Sequence, residues 1–137
     1  MLDLSRKVII ITGSSKGIGR ATAELFSSRG AVVYGLSRSL PQGEYHFTSI
    51  KCDVTDKEAL SEAFETVYKK HGRIDLLVNN AGAGIAGAVE YTSDEAVNSL
   101  LDLNFKALET SCRLALKYLR ESKGRIVNLS SVAAIIL

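Results

Sequence analysis

Five short apolar segments alternate with stretches of helical hydrophobic spacing along this chain of 137 residues. The apolar segments are residues 7–12, 31–37, 47–52, 74–79 and 125–130. Such alternation is typical of βαβ units, in which helices cover both faces of a parallel sheet. Four segments are nearly continuous Val, Ile or Leu, as expected of strands buried on both faces. The pattern predicts a single α/β domain of three layers, with the more polar third segment near an edge of the sheet.

Two further segments predict helices that begin at capping boxes. Thr55 and Glu58 have the Thr-x-x-Glu spacing, and apolar residues follow at helical intervals. A second pair, Thr92 and Glu95, opens a segment that continues to Gly124. The length of this second segment indicates either two helices or one helix with a bend.

Charge and composition exclude several classes of function. The 17 basic and 15 acidic residues are dispersed and give a net charge of +2, so we expect neither a nucleic-acid partner nor a membrane surface. No apolar stretch approaches the roughly 18 residues that a membrane span needs, and we expect a cytoplasmic protein. Cys52 and Cys112 stand far apart and are expected to be buried, with no metal site. His46 and His71 are expected at the surface, without partners.

A glycine-rich turn follows the first predicted strand, in the sequence Thr12-Gly-Ser-Ser-Lys-Gly-Ile-Gly19. Gly13 suits a tight turn, Gly17 allows close approach of a pyrophosphate, and Gly19 allows the next helix to pack against the sheet. The N-terminus of that helix offers free N–H groups to an anion. Considered alone, the same pattern also fits a flexible loop that happens to precede a helix.

The order of several motifs distinguishes between these interpretations, because together they resemble the short-chain dehydrogenase/reductase family. That family carries Thr-Gly-x-x-x-Gly-x-Gly in its first turn. The other matching motifs are Asp53-Val54 after the third segment, Asn79-Asn-Ala-Gly82 after the fourth, Asn104 in the long helical region and Ser130-Ser131 after the fifth. The resemblance covers essentially the whole chain. It implies a Rossmann-like, doubly wound sheet in the order 3-2-1-4-5, lacking the family's last strands.

The resemblance also implies which residues bind a nicotinamide cofactor. They are Gly13, Ser15, Lys16, Gly17, Ile18, Gly19, Ser37, Arg38, Asp53, Val54, Asn80, Ala81 and Gly82. At the end of the second strand, Ser37 stands where an NAD-binding fold carries an acidic residue, and Arg38 follows it. A guanidinium suits a 2′-phosphate, and Lys16 supplies a second cation. We therefore expect NADP(H) rather than NAD(H), although either cation alone would be read as a solvated surface residue.

The family's catalytic set is only partly present. Ser131 takes the position of the serine that binds the carbonyl oxygen, and Asn104 that of the asparagine which supports a proton relay. The resemblance also implies a Tyr-x-x-x-Lys motif, which none of the five tyrosines matches. Tyr68 comes closest in composition, but its helical spacing places it in the core. Residues 132–137 form an apolar tail without a polar closure.

We therefore expect residues 1–137 to be an NADP(H)-binding Rossmann domain that forms the N-terminal part of a longer single-domain enzyme. The complete enzyme would transfer a hydride between the cofactor and a small carbonyl or alcohol substrate, while the present residues alone would bind nucleotide without turnover. A catalytically incomplete nucleotide-binding or interaction module is the alternative. The resemblance further implies a homo-oligomer, either a dimer or a tetramer, and a purely structural association unit is a third hypothesis.

Overall fold

The computed structural model describes residues 3–132, so most of the apolar tail, residues 133–137, lies outside the described residues. The strands are β1 (Val8–Thr12), β2 (Val32–Ser37), β3 (Thr48–Lys51), β4 (Leu76–Asn79) and β5 (Arg125–Asn128). The α-helices are α1 (Gly17–Ser28), α2 (Lys57–His71), α3 (Asp94–Leu101) and α4 (Ala107–Ser122). A 3-10 helix spans Val89–Tyr91, and a π-helical turn, Asp102–Lys106, joins α3 to α4.

The five strands form one parallel sheet in the order β3-β2-β1-β4-β5, which confirms the predicted fold and strand order. Within β1, Ile10 lies opposite Tyr34 of β2 on one side and opposite Leu77 of β4 on the other. The most polar strand, β3, lies at one edge as its composition predicted, and β5 lies at the other. Val127 of β5 is 45% exposed, so an apolar side chain stands at that edge.

Side chains of β1 point alternately to two hydrophobic clusters, one on each face of the sheet. Val8 and Ile10 pack with residues of α2 and α4. Ile9 and Ile11 pack against α1, around Ala23. Every residue of β1 is buried, which explains why residues 8–11 are all apolar. With helices packed on both faces of the sheet, the fold has three layers.

Both helix starts differ by one residue from the predicted capping boxes. Asp56, not Thr55, caps α2, because its carboxylate accepts the Ala59 N–H at 3.0 Å. Ser93, not Thr92, caps α3 by accepting the Ala96 N–H. Asp and Ser are as good N-caps as Thr, so the Thr-x-x-Glu spacing did not decide between neighbouring positions.

The long segment after β4 forms α3 and α4, joined without interruption through the π-helical turn. A π-helical turn inserts an extra residue into the hydrogen-bond pattern, and such turns are frequent at functional sites. Asn104, one of the predicted site residues, lies on this turn. Among residues 3–132, no helix combines the length and the apolar character that crossing a membrane requires.

Candidate active site

A cleft of about 800 Å³ opens at the carboxyl ends of the strands. Its walls come from the turn after β1, the ends of β2 and β3, the segment after β4, and one face of α3. The chain runs from β1 outward to β3 and then returns to β4 on the other side of β1. The cleft therefore lies at the topological switch point, where open α/β sheets bind ligands.

Thr12 and Asn80 join the two strands at this switch point. The Thr12 hydroxyl oxygen accepts the backbone N–H groups of Asn80 and Ala81, each at 3.0 Å. In return, the Asn80 amide donates to the carbonyl oxygens of Thr12 and Gly13, also at 3.0 Å. The turn after β1 and the segment after β4 are thus held as one rigid unit.

The three glycines of the turn meet different surroundings. A Cβ on Gly13 would lie 2.8 Å from the Ala81 Cα, and one on Gly19 would lie 2.9 Å from the Gly13 carbonyl carbon. Both positions therefore need glycine for close packing. At Gly17 such a Cβ would have no heavy atom of residues 3–132 within 4 Å, apart from its chain neighbours and its own helix backbone, but φ is +58°. Gly17 therefore leaves room at the cleft wall for the backbone to approach a ligand.

Helix α1 begins at this turn with its first N–H groups directed to the same end of the sheet. Within the described chain, Lys16 at the N-cap makes no side-chain capping hydrogen bond, and the first turn contains no acidic residue. An uncapped helix N-terminus carries partial positive charge and suits an anion. The local geometry therefore fits the pyrophosphate of a dinucleotide.

The ends of β2 and β3 supply the polar side of the cleft. The Ser37 hydroxyl donates to the Ser39 carbonyl oxygen at 2.8 Å and shapes the turn that carries Arg38. Hydrogen bonds from the Thr55 hydroxyl and N–H lower the pKa of Asp53, and the nearby Arg38 guanidinium lowers it further. Asp53 is therefore a carboxylate, available as a hydrogen-bond acceptor at neutral pH.

Most of the predicted cofactor-binding residues meet in this cleft. Those that line it are Gly13, Ser15, Lys16, Gly17, Ser37, Arg38, Asp53, Val54, Asn80, Ala81 and Gly82. The other two lie outside the lining: Ile18 is 67% exposed, and Gly19 is buried behind the turn. Sequence reasoning missed the contribution of α3, whose cleft residues Ala96, Ser99 and Leu100 recur at helical spacing. This helical spacing in the sequence could have identified them as one face of a helix.

The two predicted catalytic residues lie outside the described lining of the cleft. The Asn104 amide oxygen accepts the Ala83 N–H at 2.9 Å, and its amide nitrogen donates to the Ala83 carbonyl oxygen at 2.8 Å. Asn104 therefore fixes the segment after β4, which does line the cleft. Ser131 is exposed and follows β5, at the same end of the sheet as the turn after β1.

The cysteines and histidines differ in their surroundings. Cys52 lines the cleft, and burial raises the pKa of its thiol to about 11, so it is a neutral wall residue. Cys112 is only partly buried, contrary to expectation, with its sulfur 3.3 Å from the Asn79 amide nitrogen. His71 has a partner after all, because its Nε2 lies 2.8 Å from the Tyr34 hydroxyl. The described residues contain no group of three or more metal-binding side chains.

Tyr68 is partly buried against the larger cluster, and its hydroxyl donates to the Glu121 carboxylate at 2.7 Å. This contact links α2 to α4, on the face of the sheet away from α1. The placement agrees with a packing role for Tyr68.

Comparison with known proteins gives consistent matches. The family model described as short chain dehydrogenase matches residues 7–136. The chain is 36% identical over 130 residues to a 3-ketodihydrosphingosine reductase of Bacteroides thetaiotaomicron, covering 94% of this chain and 48% of that protein. The chain spans about half the length of the curated relatives it matches.

Solved structures match equally well. The ligand-free aldohexose dehydrogenase of Thermoplasma acidophilum superposes with a TM-score of 0.91 at 38% identity, over 98% of this chain and 53% of that one. The structure of ElxO with NADP bound superposes with a TM-score of 0.86 at 31% identity, over 95% of this chain and 57% of that one. The names of the 3-ketodihydrosphingosine reductase and the aldohexose dehydrogenase indicate different substrates within one family.

Proposed function

This chain belongs to the short-chain dehydrogenase family, and we propose that it acts in an NADP(H)-dependent oxidoreductase that transfers a hydride between the nicotinamide and a carbonyl or alcohol group. One observation carries the choice of cofactor: Lys16 and Arg38 line the same cleft as the glycine-rich turn. The NADP-bound relative ElxO supports the same choice.

The residues of the cleft fit a dinucleotide in three parts. The pyrophosphate would lie over Gly17 and the N-terminus of α1. The adenine would lie against Val54, with the Asp53 carboxylate as a hydrogen-bond acceptor. Arg38, assisted by Lys16, would bind the 2′-phosphate, since Ser37 places no carboxylate there. When bound, the cofactor supplies or accepts the hydride.

Two residues are proposed to serve the carbonyl substrate. The Ser131 hydroxyl would donate a hydrogen bond to the carbonyl oxygen, whose negative charge increases during reduction. Asn104 would support the proton relay while its side chain holds Ala83. Proton transfer is assigned to the family's Tyr-x-x-x-Lys motif, which residues 1–137 do not contain. We therefore expect a polypeptide of these residues alone to bind nucleotide and to show no carbonyl turnover.

A nucleotide-binding module without turnover is the second candidate. It is favoured by the position of Ser131, which lies outside the described lining of the cleft, whereas the cofactor residues line it together. Oxidation of NADPH with a panel of ketones and aldehydes separates the two candidates in a protein that includes a Tyr-x-x-x-Lys segment. There, Ser131→Ala is expected to lower kcat by about two to three orders of magnitude. A protein inert toward the whole panel would favour the binding module.

Self-association is proposed from the surface of α3 and the π-helical turn. Val97, Leu101 and Phe105 recur every four residues and are 43%, 50% and 66% exposed. An apolar stripe of this kind fits a homo-oligomer contact. A cytoplasmic location stays a prediction of the sequence.

Nucleotide binding is the direct test of the proposed function. NADPH fluorescence should change on titration with the chain, and Gly17→Val should abolish the change, because a branched side chain would occupy the room above the turn. Gly72→Val is the matched control: Gly72, which ends α2, also has a positive φ, of +68°, and open surroundings within the described chain. Equal losses in both variants would assign the effect to backbone strain and not to the cleft.

A further inference from the structure

Residues 38–47 connect β2 to β3 and begin with Arg38, the proposed ligand of the 2′-phosphate. This connection lies along one face of α1. Three side chains of that face, from Arg20, Glu24 and Ser27, contact its second half. Their spacing of four and three residues places them on the same side of the helix.

Each of the three side chains satisfies a polar group of the connection. The Arg20 guanidinium donates to the Glu44 carbonyl oxygen at 2.9 Å. The Glu24 carboxylate accepts the His46 backbone N–H at 3.2 Å and lies 3.0 Å from its imidazole Nδ1. The Ser27 hydroxyl donates to the His46 carbonyl oxygen. His46 was expected to lack a partner, and Glu24, far from it in sequence, is that partner.

Apolar contacts with the buried core also hold the same connection. Pro41 is buried, and Phe47 is buried in the cluster that also contains Ala23 of α1. The rings of Tyr45 and Phe47 lie 5.2 Å apart. At its beginning, Ser37 donates to the Ser39 carbonyl oxygen. The connection is therefore attached at both ends, although it contains no helix or strand.

Helix α1 thus touches two parts of the proposed cofactor site. Its N-terminus lies at the pyrophosphate position, and its next turns hold the connection that carries Arg38. We propose that Arg20, Glu24 and Ser27 form a positioning face which fixes residues 38–47, so that Arg38 is presented to the 2′-phosphate and NADP(H) is preferred over NAD(H). The inference rests on the proposed function, because it assigns the preference to the same cleft.

The carboxylate of Glu24 has the central position in this face, since it alone contacts both the backbone and the side chain of His46. Glu24→Ala removes both acceptors and leaves the His46 N–H without its partner. Glu24→Gln keeps one acceptor oxygen and should preserve much of the attachment. Neither Glu24 nor His46 is among the described residues that line the cleft. Binding of the part that both cofactors share should therefore persist.

The test compares the Kd values for NADPH and NADH, measured by fluorescence titration of the full chain. Glu24→Ala and Arg20→Ala should each raise the Kd for NADPH about fivefold to tenfold, the loss expected for one or two hydrogen bonds. The Kd for NADH should change by less than about twofold, and Glu24→Gln should restore most of the NADPH affinity. Glu62→Ala, an exposed glutamate of α2, is the control and should change neither value.

A double-substitution cycle separates positioning from general stability. In the Arg38→Ala background, Glu24→Ala should cause no further change in the ratio of the two Kd values, because the residue it positions is gone. Equal losses for both nucleotides, or a persistent effect without Arg38, would overturn the proposal.

Failure of the cofactor assignment has a different signature. If the unsubstituted chain binds NADH as tightly as NADPH, the proposed preference for NADP(H) is wrong. Amide hydrogen exchange then tests the attachment by itself. Faster exchange of the His46 N–H in Glu24→Ala would show that Glu24 holds residues 38–47 but does not determine cofactor specificity. Equal affinity of the unsubstituted chain for NADH and NADPH therefore overturns the positioning proposal as well. Kd ratios that shift as expected support the cofactor preference and the positioning proposal together.

Discussion

Thr12 and Asn80 bind each other through both backbone and side chain at the carboxyl ends of β1 and β4. The Thr12 hydroxyl accepts the Asn80 N–H, and the Asn80 amide donates to the Thr12 carbonyl oxygen, each at 3.0 Å. Thr12 is only 2% exposed, so the Thr12 side of these bonds is shielded from water. The pair holds the glycine-rich turn against the segment that forms the opposite wall of the cleft.

Replacing Thr12 by Val keeps the shape of the side chain and removes the acceptor for two N–H groups, those of Asn80 and Ala81. We expect the free energy of unfolding to fall by about 1 kcal/mol, the lower end of the cost of leaving a donor unpaired, because both N–H groups are only partly buried. Thr12→Ser keeps the hydroxyl and should lose clearly less. Urea denaturation of the three proteins measures the difference, and a Val variant as stable as the Ser variant would contradict this account.

Asp75 makes the stability of the chain depend on pH. Its buried carboxylate accepts the Val8 N–H at 2.9 Å and pairs with Arg73 and, more distantly, Lys7. Burial alone would raise the pKa of Asp75, but the hydrogen bonds from Arg73 and Val8, with the nearby cations, outweigh it and lower the pKa. The folded state therefore binds a proton at Asp75 less readily than the unfolded chain does.

A lowered folded-state pKa contributes stability that is fully present above the ordinary aspartate pKa of 3.8 and is lost as the pH falls through the folded value. Asp75→Asn should therefore reduce Tm at pH 7, and the gap to the unsubstituted protein should narrow steadily as the pH falls below about 4. Glu62→Gln provides the control for removal of an exposed carboxylate. A gap that stays constant between pH 7 and pH 3 would show that the charge of Asp75 is not responsible.

Features that depend on neighbouring residues in the sequence could be predicted, whereas contacts between residues far apart in the sequence could not. The strands were predictable because residues 8–11 of β1 are all apolar, and the cleft because the glycine-rich turn is a local pattern. The caps at Asp56 and Ser93 were missed because neighbouring polar residues compete for one position, and the Thr55 hydroxyl bonds instead to Asp53. The contact between Glu24 and His46 was out of reach, since nothing local indicates a pair brought together by folding.

Ser14 and Gly35 form a tight contact beneath the cleft. A Cβ on Gly35 would lie 2.6 Å from the Ser14 Cβ and 2.7 Å from the Phe47 ring. We expect Gly35→Ala to reduce the free energy of unfolding by about 1–3 kcal/mol through overpacking of this site. The Ser14 hydroxyl is buried without a hydrogen-bond partner among the described residues.

Ser14→Ala should accordingly leave stability unchanged or raise it slightly, because it removes a polar group that folding leaves unpaired. Thermal unfolding of both single variants tests the contact. A Ser14→Ala protein that loses as much stability as Gly35→Ala would indicate that the hydroxyl has a partner, such as a buried water.

Arg38 offers the sharpest test of the cofactor preference. It is exposed, lines the cleft and lies near Asp53. Removing its guanidinium should raise the Kd for NADPH about tenfold to a hundredfold, as expected for the loss of charge-assisted hydrogen bonds to a phosphate. The Kd for NADH should change little, since its ribose carries a hydroxyl in place of that phosphate. Arg120→Ala, which removes an exposed arginine of α4, is the matched control.

Salt dependence strengthens the Arg38 test. Added salt screens the attraction between the guanidinium and the phosphate, so the NADPH affinity of the unsubstituted protein should fall with ionic strength more steeply than that of Arg38→Ala. The NADH affinities of the two proteins should show similar salt dependence. If Arg38→Ala weakens the binding of both nucleotides equally and leaves the salt dependence unchanged, Arg38 does not recognise the 2′-phosphate and the preference for NADP(H) must be sought at Lys16.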